Sequence, residues 1–179
     1  PVTFPAGFRH ARGPRARRGD PAGAGVKLLV VCLGNICRSP MAEGALRARL
    51  ASSPLADRVQ VDSAGTGGWH AGEPPDRRAI ACARGHGVDI GGQRARQLAA
   101  ADFEAFDWIL CADRANLRDV LCLAPPARRE RVVLLLDWAG IEANGEVPDP
   151  YTGGPEDFQQ VWRLVDSAAR AVVDRLAVD

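Results

Sequence analysis

Residues 26–40 have the sequence VKLLVVCLGNICRSP. Residues 26–33 form an almost continuous apolar run with several β-branched side chains. Such a run is typical of a strand that is buried on both faces of a parallel sheet. Gly34 ends the run, and Pro40 suits the first turn of a helix, where its missing N–H is not needed. The segment therefore predicts a strand, a short loop and then a helix over residues 41–50.

The chain continues with the same alternation of apolar runs and helical patterns. Further strands are predicted over residues 59–63, 108–112 and 131–136. Further helices are predicted over residues 76–84 and 116–123, and along the apolar i, i+3, i+4 pattern of residues 158–176. Strands that alternate with helices predict a single-domain, three-layer α/β fold with right-handed crossovers.

A parallel sheet places ligand sites at the carboxyl ends of its strands. In this chain that rule selects residues 32–39, which follow the first predicted strand. It also selects the loops over residues 64–75 and 142–155. Candidate functional residues are therefore sought in these three segments.

Composition excludes several classes of protein. Of the 179 residues, 46% are hydrophobic and 25% charged, which is typical of a globular domain and not of a disordered chain. No apolar run approaches the roughly 18 residues of a membrane span, and a net charge of +1 gives no field that would favour nucleic acid. Five cysteines are too few for a disulfide scaffold and predict a reducing, cytoplasmic compartment, with export without a leader left open.

Residues 1–25 differ in composition from the rest of the chain. They contain five arginines against one aspartate, with four prolines and five glycines. Because so few aliphatic side chains are present, ordering this segment would cost more entropy than burial could offset. We predict a flexible tail over residues 1–25 and one domain over residues 26–179. No signal peptide is predicted, since the following apolar run is short and lacks a small-residue cleavage site.

A Cys-x5-Arg-Ser pattern runs from Cys32 to Ser39. Residues that leave a strand and enter a helix can curl around one phosphate, with backbone N–H groups and the helix N-terminus directed at its oxygens. Arg38 would fork onto two phosphate oxygens, and the same positive field would lower the pKa of Cys32 to give a nucleophilic thiolate. Gly34 is expected to supply a backbone angle that other residues disfavour.

The spacing alone is weak evidence, because a second Cys-x5-Arg pattern runs from Cys122 to Arg128. That copy has no glycine and contains two prolines, which lack the N–H donors that a phosphate cradle requires. It also follows a predicted helix instead of a strand. We interpret Cys122 and Arg128 as structural residues.

Asp149 is the candidate proton donor. An alcohol that leaves phosphorus needs an acid to protonate its oxygen. Pro148 and Pro150 flank Asp149 and would stiffen a loop that holds one carboxyl group over a bound phosphate.

Together these motifs resemble the low-molecular-weight protein-tyrosine phosphatases, over about residues 26–178. The similar segments are residues 32–43, Val61-Asp-Ser-Ala-Gly-Thr66, Trp69-His70, Pro74-Pro75-Asp76, His86-Gly87, Arg96-Gln97 and Asp149-Pro150-Tyr151. The resemblance implies a four-stranded parallel sheet with a phosphate loop between the first strand and the first helix. It implies hydrolysis of phosphotyrosine in protein substrates without a metal or a cofactor, by a chain that acts as a monomer.

Individual roles are implied by the same resemblance. Cys32 would form a phosphocysteine intermediate, and Asp149 would serve first as general acid and then as general base. Phosphate would be bound by Arg38 and by the backbone of Leu33, Gly34, Asn35, Ile36, Cys37 and Arg38. Asn35 would brace the loop, and Ser39 would donate a hydrogen bond to the thiolate.

Further positions bear on specificity and regulation. Trp69 and Tyr151 would form the walls of a slot too deep for phosphoserine to reach the thiolate. Tyr151 occupies a position that is itself phosphorylated in part of the family, and the sequence leaves that modification open. Cys37 resembles the family's redox partner, which forms a protective disulfide with the nucleophile.

One position departs from the family pattern. Many relatives carry a histidine where Gln93 stands in this chain. The substitution leaves open how Ser39 is oriented and what Glu43 does.

Three alternative functions remain. An arsenate reductase would pass electrons along three cysteines, but Cys111 and Cys122 are too far apart along the chain for that pattern. Protein-arginine phosphatases resemble the chain but carry threonine at the position of Ile36, where a hydroxyl can orient attack on a P–N bond. A non-catalytic phosphate-binding module would not need both Cys32 and Asp149, and both are present.

Overall fold

The computed structural model of the protein describes residues 25–178. The strands are β1 (Val26–Cys32), β2 (Val59–Gly65), β3 (Trp108–Cys111) and β4 (Val132–Leu134). The helices are α1 (Arg38–Ala51), α2 (Arg77–Gly85), α3 (Asp102–Ala105), α4 (Arg114–Leu123), α5 (Leu135–Trp138) and α6 (Pro155–Val178). A 3-10 helix, Pro126–Arg131, precedes β4.

The strands form one parallel sheet in the order β2-β1-β3-β4. Strand β1 is therefore central, with Cys32 paired to Gly65 of β2 and Val31 paired to Cys111 of β3. Because the strands are parallel, the segments that follow β1, β2 and β3 all leave the same edge of the sheet. This confirms the predicted α/β fold and brings three sequence-distant segments together.

Both faces of the sheet are covered by helices. Leu28 and Val30 of β1 belong to a core cluster that includes residues of α1, α2 and α6. The alternate residues Leu29 and Val31 belong to a second cluster with residues of α3 and α4. Both sets are buried, which is why the sequence of β1 shows no polar alternation.

The predicted strand over residues 131–136 is wrong at its carboxyl end. Strand β4 stops at Leu134, and Leu135 and Leu136 begin the short helix α5. Both leucines are buried, so their composition matches that of a buried strand although their backbone is helical. Helix α1 begins at Arg38, three residues before its predicted start, and Pro40 lies in its first turn as expected.

The prediction of a flexible tail over residues 1–25 falls, apart from Gly25, outside the described residues. Among the helices of residues 25–178, none has the length and apolar composition needed to cross a bilayer. In the same part of the chain, no group of three or more His, Cys, Asp and Glu side chains is arranged to hold a metal ion.

Replacement of Leu110 by alanine tests the packing of the central sheet. Leu110 is fully buried in β3, so we expect Leu110→Ala to lower the free energy of unfolding by about 2–5 kcal/mol. The matched control is Leu123→Ala, since Leu123 is 62% exposed and its truncation should cost less than about 0.5 kcal/mol. Urea unfolding followed by circular dichroism measures both, and equal losses would contradict the described core.

Candidate active site

Residues 32–38, the cysteine loop, connect the carboxyl end of β1 to α1. The carbonyl oxygens of Cys32 and Leu33 accept hydrogen bonds from the backbone amides of Thr66 and Gly67, both at 2.9 Å. These bonds turn the loop carbonyls outward, toward the segment that follows β2. The loop is thereby anchored on its outer side to the neighbouring strand of the sheet.

Two glycines in and beside the loop are needed because a side chain would not fit, and not because of an unusual backbone angle. The expectation that Gly34 takes an unusual angle is wrong, because the left-handed residue of the loop is Asn35, with φ of 56°. Asparagine tolerates that region better than most side chains. A Cβ at Gly34 would lie 3.1 Å from Cδ2 of His70, and a Cβ at Gly65 would lie 2.7 Å from the carbonyl oxygen of Leu33.

Asn35 is the centre of a buried hydrogen-bond network. Its Nδ2 donates to Ser39 Oγ at 2.8 Å and to Ser63 Oγ at 2.9 Å, and its Oδ1 accepts from the backbone amide of Arg96 at 2.9 Å. Ser63 Oγ in turn donates to Glu43 Oε2 at 2.6 Å. Burial raises the pKa of the Glu43 carboxyl, against the opposing effect of the Ser63 hydroxyl. The network ties the loop to β2 and to α1.

Cys32 Sγ lies 3.0 Å from Ser39 Oγ, and both groups are buried. Ser39 Oγ already accepts a hydrogen bond from Asn35 Nδ2. Its own proton can be donated to the Cys32 sulfur or, at 3.5 Å, to the carbonyl oxygen of Ala64.

Arg38 is buried at the start of α1 and joins the cysteine loop to two other segments. Its Nη1 donates to Asp113 Oδ2 and, at 3.2 Å, to the carbonyl oxygen of Val147. Its Nη2 donates to Asp149 Oδ2 at 3.2 Å. A guanidinium has five N–H donors, so after these three bonds within residues 25–178 it keeps two, on Nε and Nη2. These two N–H groups lie on one edge of the guanidinium, and their fork geometry matches two oxygens of a phosphate.

Arg38 stays protonated despite its burial. Burial disfavours the charged guanidinium, but the neighbouring Cys32 sulfur and the two aspartates together raise the pKa of Arg38 above its ordinary value. The site therefore holds a permanent cation beside Cys32.

A cavity of about 220 Å³ opens above these groups. It is lined by Cys32, Leu33, Gly34, Ile36, Cys37, Arg38, Trp69, His70, Asp149 and Tyr151. Trp69 is 64% exposed and Tyr151 is 52% exposed, so two aromatic rings stand at its mouth. A larger cavity of about 520 Å³, beside Lys27 and Arg47, contains none of the predicted site residues.

Comparison with known proteins is consistent with this geometry. A sequence profile described as low molecular weight phosphotyrosine protein phosphatase matches residues 27–179. The chain belongs to this family. A low molecular weight protein-tyrosine-phosphatase of Streptomyces coelicolor is 40% identical over 150 residues, which cover 82% of this chain and 91% of the relative.

Two solved structures superpose on most of the chain. A protein tyrosine phosphatase of Entamoeba histolytica, with Hepes in its active site, gives a TM-score of 0.81 at 32% identity and covers 86% of this chain and 97% of its own. Wzb of Vibrio vulnificus, in complex with benzylphosphonate, gives a TM-score of 0.73 at 32% identity and covers 83% of this chain and 97% of its own.

Gln93 stands where the resemblance to the family implies a histidine. Its Nε2 donates to the carbonyl oxygen of Pro40 at 3.1 Å, in the first turn of α1 beside Ser39. Among residues 25–178, its buried Oε1 has no hydrogen-bond partner. Gln93 therefore supports the backbone of α1, while Ser39 is oriented by Asn35.

Two residues of the phosphatase site were not predicted from the sequence. Asp113 caps α4 through the Asn116 amide and also holds Arg38. It follows β3 closely, so the rule that sites lie at the carboxyl ends of strands could have found it. Ser63, which links Asn35 to Glu43, lies in the segment Val61-Asp-Ser-Ala-Gly-Thr66 that resembles the family, but a serine inside a strand gives no indication of this role.

Cys37 is buried beside the nucleophile candidate. Burial, with a smaller contribution from Asp76, raises the pKa of the Cys37 thiol to about 12. A thiol attacks disulfides and sulfenic acids only as its thiolate. Its redox role stays a prediction, and the raised pKa makes it a slow partner near neutral pH.

Alkylation rates test the state of Cys37. With a pKa of about 12, only about one part in 10⁵ is thiolate at pH 7. We expect iodoacetamide at pH 7–9 to leave Cys37 unmodified while it modifies Cys122, the exposed reference thiol. Peptide mass spectrometry measures both sites. Labelling of Cys37 at the rate of Cys122 would contradict its burial.

Proposed function

We propose that the chain hydrolyses phosphotyrosine in proteins through a phosphocysteine intermediate on Cys32. The observation that carries the proposal is the convergence of Cys32, Arg38 and Asp149 on one cavity. A sulfur nucleophile, a phosphate-binding cation and a carboxyl group are the parts that this two-step reaction requires.

In the first step the Cys32 thiolate attacks phosphorus and the bond from phosphorus to the phenolic oxygen breaks. Asp149, as the carboxylic acid, donates its proton to the leaving oxygen. In the second step Asp149, now a carboxylate, takes a proton from a water molecule that attacks phosphorus. The S–P bond breaks, inorganic phosphate leaves and the thiolate is regenerated.

The cysteine loop and Arg38 would stabilise the negative charge of the phosphate group in this reaction. The outward hydrogen bonds of the loop carbonyls support a cradle in which the backbone N–H groups of residues 33–38 face the phosphate. The two remaining donors of Arg38 would bind two phosphate oxygens. Ser39 would stabilise the thiolate both as nucleophile and as leaving group.

The lining of the cavity favours a phenolic substrate. The rings of Trp69 and Tyr151 can face a flat substrate ring, and Leu33 and Ile36 add apolar surface. Ile36 offers no hydroxyl to orient attack on a P–N bond. Cys111 is buried in β3 with its pKa raised by that burial, which makes it a poor electron relay for arsenate chemistry.

Hydrolysis of phosphotyrosine, phosphoserine and phosphoarginine peptides in excess chelator tests the proposal. We expect turnover of phosphotyrosine alone, none with Cys32→Ser, and a loss on the order of 10²-fold with Asp149→Ala, because an acid catalyst contributes at least that much.

Matched controls are Cys122→Ser and Asp119→Ala, which change the same residue types outside the cavity. Faster turnover of phosphoarginine would contradict the role of Ile36. Phosphate binding without turnover of any peptide would contradict the enzyme itself and favour a binding module.

A further inference from the structure

The loop that carries Asp149 is held in place by a side chain from another part of the chain. Residues 147–154, the Asp149 loop, lie between α5 and α6. Arg78, in the first turn of α2, donates from Nη2 to the carbonyl oxygen of Tyr151 at 3.0 Å and from Nη1 to that of Gly153 at 3.2 Å. One guanidinium therefore binds two main-chain carbonyl groups just after Asp149.

Arg78 is itself fixed by a bidentate ion pair. Its Nε lies 3.0 Å from Asp76 Oδ1 and its Nη2 lies 2.9 Å from Asp76 Oδ2. The backbone amide of Asp76 donates to the carbonyl oxygen of Ile36 in the cysteine loop at 2.8 Å. A continuous line of hydrogen bonds thus runs from the cysteine loop through Asp76 and Arg78 to the Asp149 loop.

The guanidinium also contacts two aromatic rings. Its Cζ lies 4.7 Å from the ring centroid of Phe158 and 5.7 Å from that of Tyr151. Both distances are within the range of cation–π attraction. Phe158 is fully buried in α6, whereas Tyr151 stands at the mouth of the cavity. Arg78 therefore supports the aromatic wall as well as the backbone of the Asp149 loop.

We propose that Arg78 is a positioning residue, which holds Asp149 at the leaving oxygen and the Tyr151 ring at the substrate by joining their loop to the cysteine loop. The inference rests on the proposed function. An exposed ion pair with Asp76 alone would contribute little. Arg78 also makes two hydrogen bonds to main-chain carbonyl groups and two ring contacts, which connect it to the Asp149 loop. Loss of these contacts would displace Asp149, and a small displacement of a catalytic group lowers the rate by a large factor.

Loss of acid catalysis lowers the rate more for a substrate with a poor leaving group than for one with a good leaving group. Tyrosine, with a pKa of about 10, is a poor leaving group and needs protonation, whereas p-nitrophenol is more acidic and leaves more readily without it. We expect Arg78→Met to lower kcat/KM for a phosphotyrosine peptide by about tenfold, and for p-nitrophenyl phosphate by less than about threefold. Arg77→Met, at the neighbouring exposed arginine, is the matched control and should change neither.

A double variant separates positioning from other roles. If Arg78 acts through Asp149, adding Arg78→Met to Asp149→Ala should lower phosphotyrosine turnover by less than about twofold further. Arg78→Lys, which keeps the charge but not the planar fork, should retain the leaving-group signature in weaker form. Equal losses on both substrates, or a double variant whose losses multiply in full, would overturn the inference.

A measurement that does not depend on activity tests the contact itself. The amides of Tyr151 and Gly153 bond to Asp149 Oδ1 and to the carbonyl oxygen of Pro150 within the loop. Their hydrogen exchange should accelerate in Arg78→Met and not in Arg77→Met. Unchanged exchange overturns the inference even in an active enzyme. If the wild-type chain does not hydrolyse phosphotyrosine but exchange still accelerates in Arg78→Met, the contact is supported and it is the proposed function that has failed.

Discussion

The carboxamide of Asn35 makes three hydrogen bonds, as donor to Ser39 and Ser63 and as acceptor from the backbone of Arg96. Asn35 is also the residue that takes the left-handed conformation in the cysteine loop. A non-glycine residue in that region persists when its surroundings hold it, and here two buried hydrogen bonds and one partly buried one do so. The same side chain holds the Ser39 hydroxyl, which lies 3.0 Å from the sulfur of Cys32.

The rest of the site is assembled around that loop by the parallel sheet. Asp113 follows β3 and Asp149 lies far along the chain, yet both reach Arg38. Arg78 connects the cysteine loop, through Asp76, to the Asp149 loop. The Arg38 guanidinium is therefore held from several directions, which limits the orientations in which it can bind a phosphate group.

Local patterns in the sequence were enough to predict β1, the cysteine loop and α6, because each depends on a run of neighbouring residues. The end of β4 was wrong because Leu135 and Leu136 are buried as a strand would be but turn as a helix. The role of Gly34 was misinterpreted because a side chain at this position would crowd the ring of His70, which is distant in sequence. Asp113 and Arg78 act through tertiary contacts. The position of Asp113 just after β3 is a signal that the sequence does offer, whereas the contacts of Arg78 with the Asp149 loop leave no local pattern.

In the proposed mechanism a phosphoryl group is carried by Cys32. The most direct measurement is a rapid acid quench of wild-type enzyme with p-nitrophenyl phosphate, followed by peptide mass spectrometry. This substrate has a good leaving group, so the intermediate should form faster than it is hydrolysed. The mechanism predicts one phosphoryl group on the peptide that contains Cys32, and none with Cys32→Ser. Turnover without a phosphorylated Cys32 peptide, or with the phosphoryl group on another residue, would contradict it.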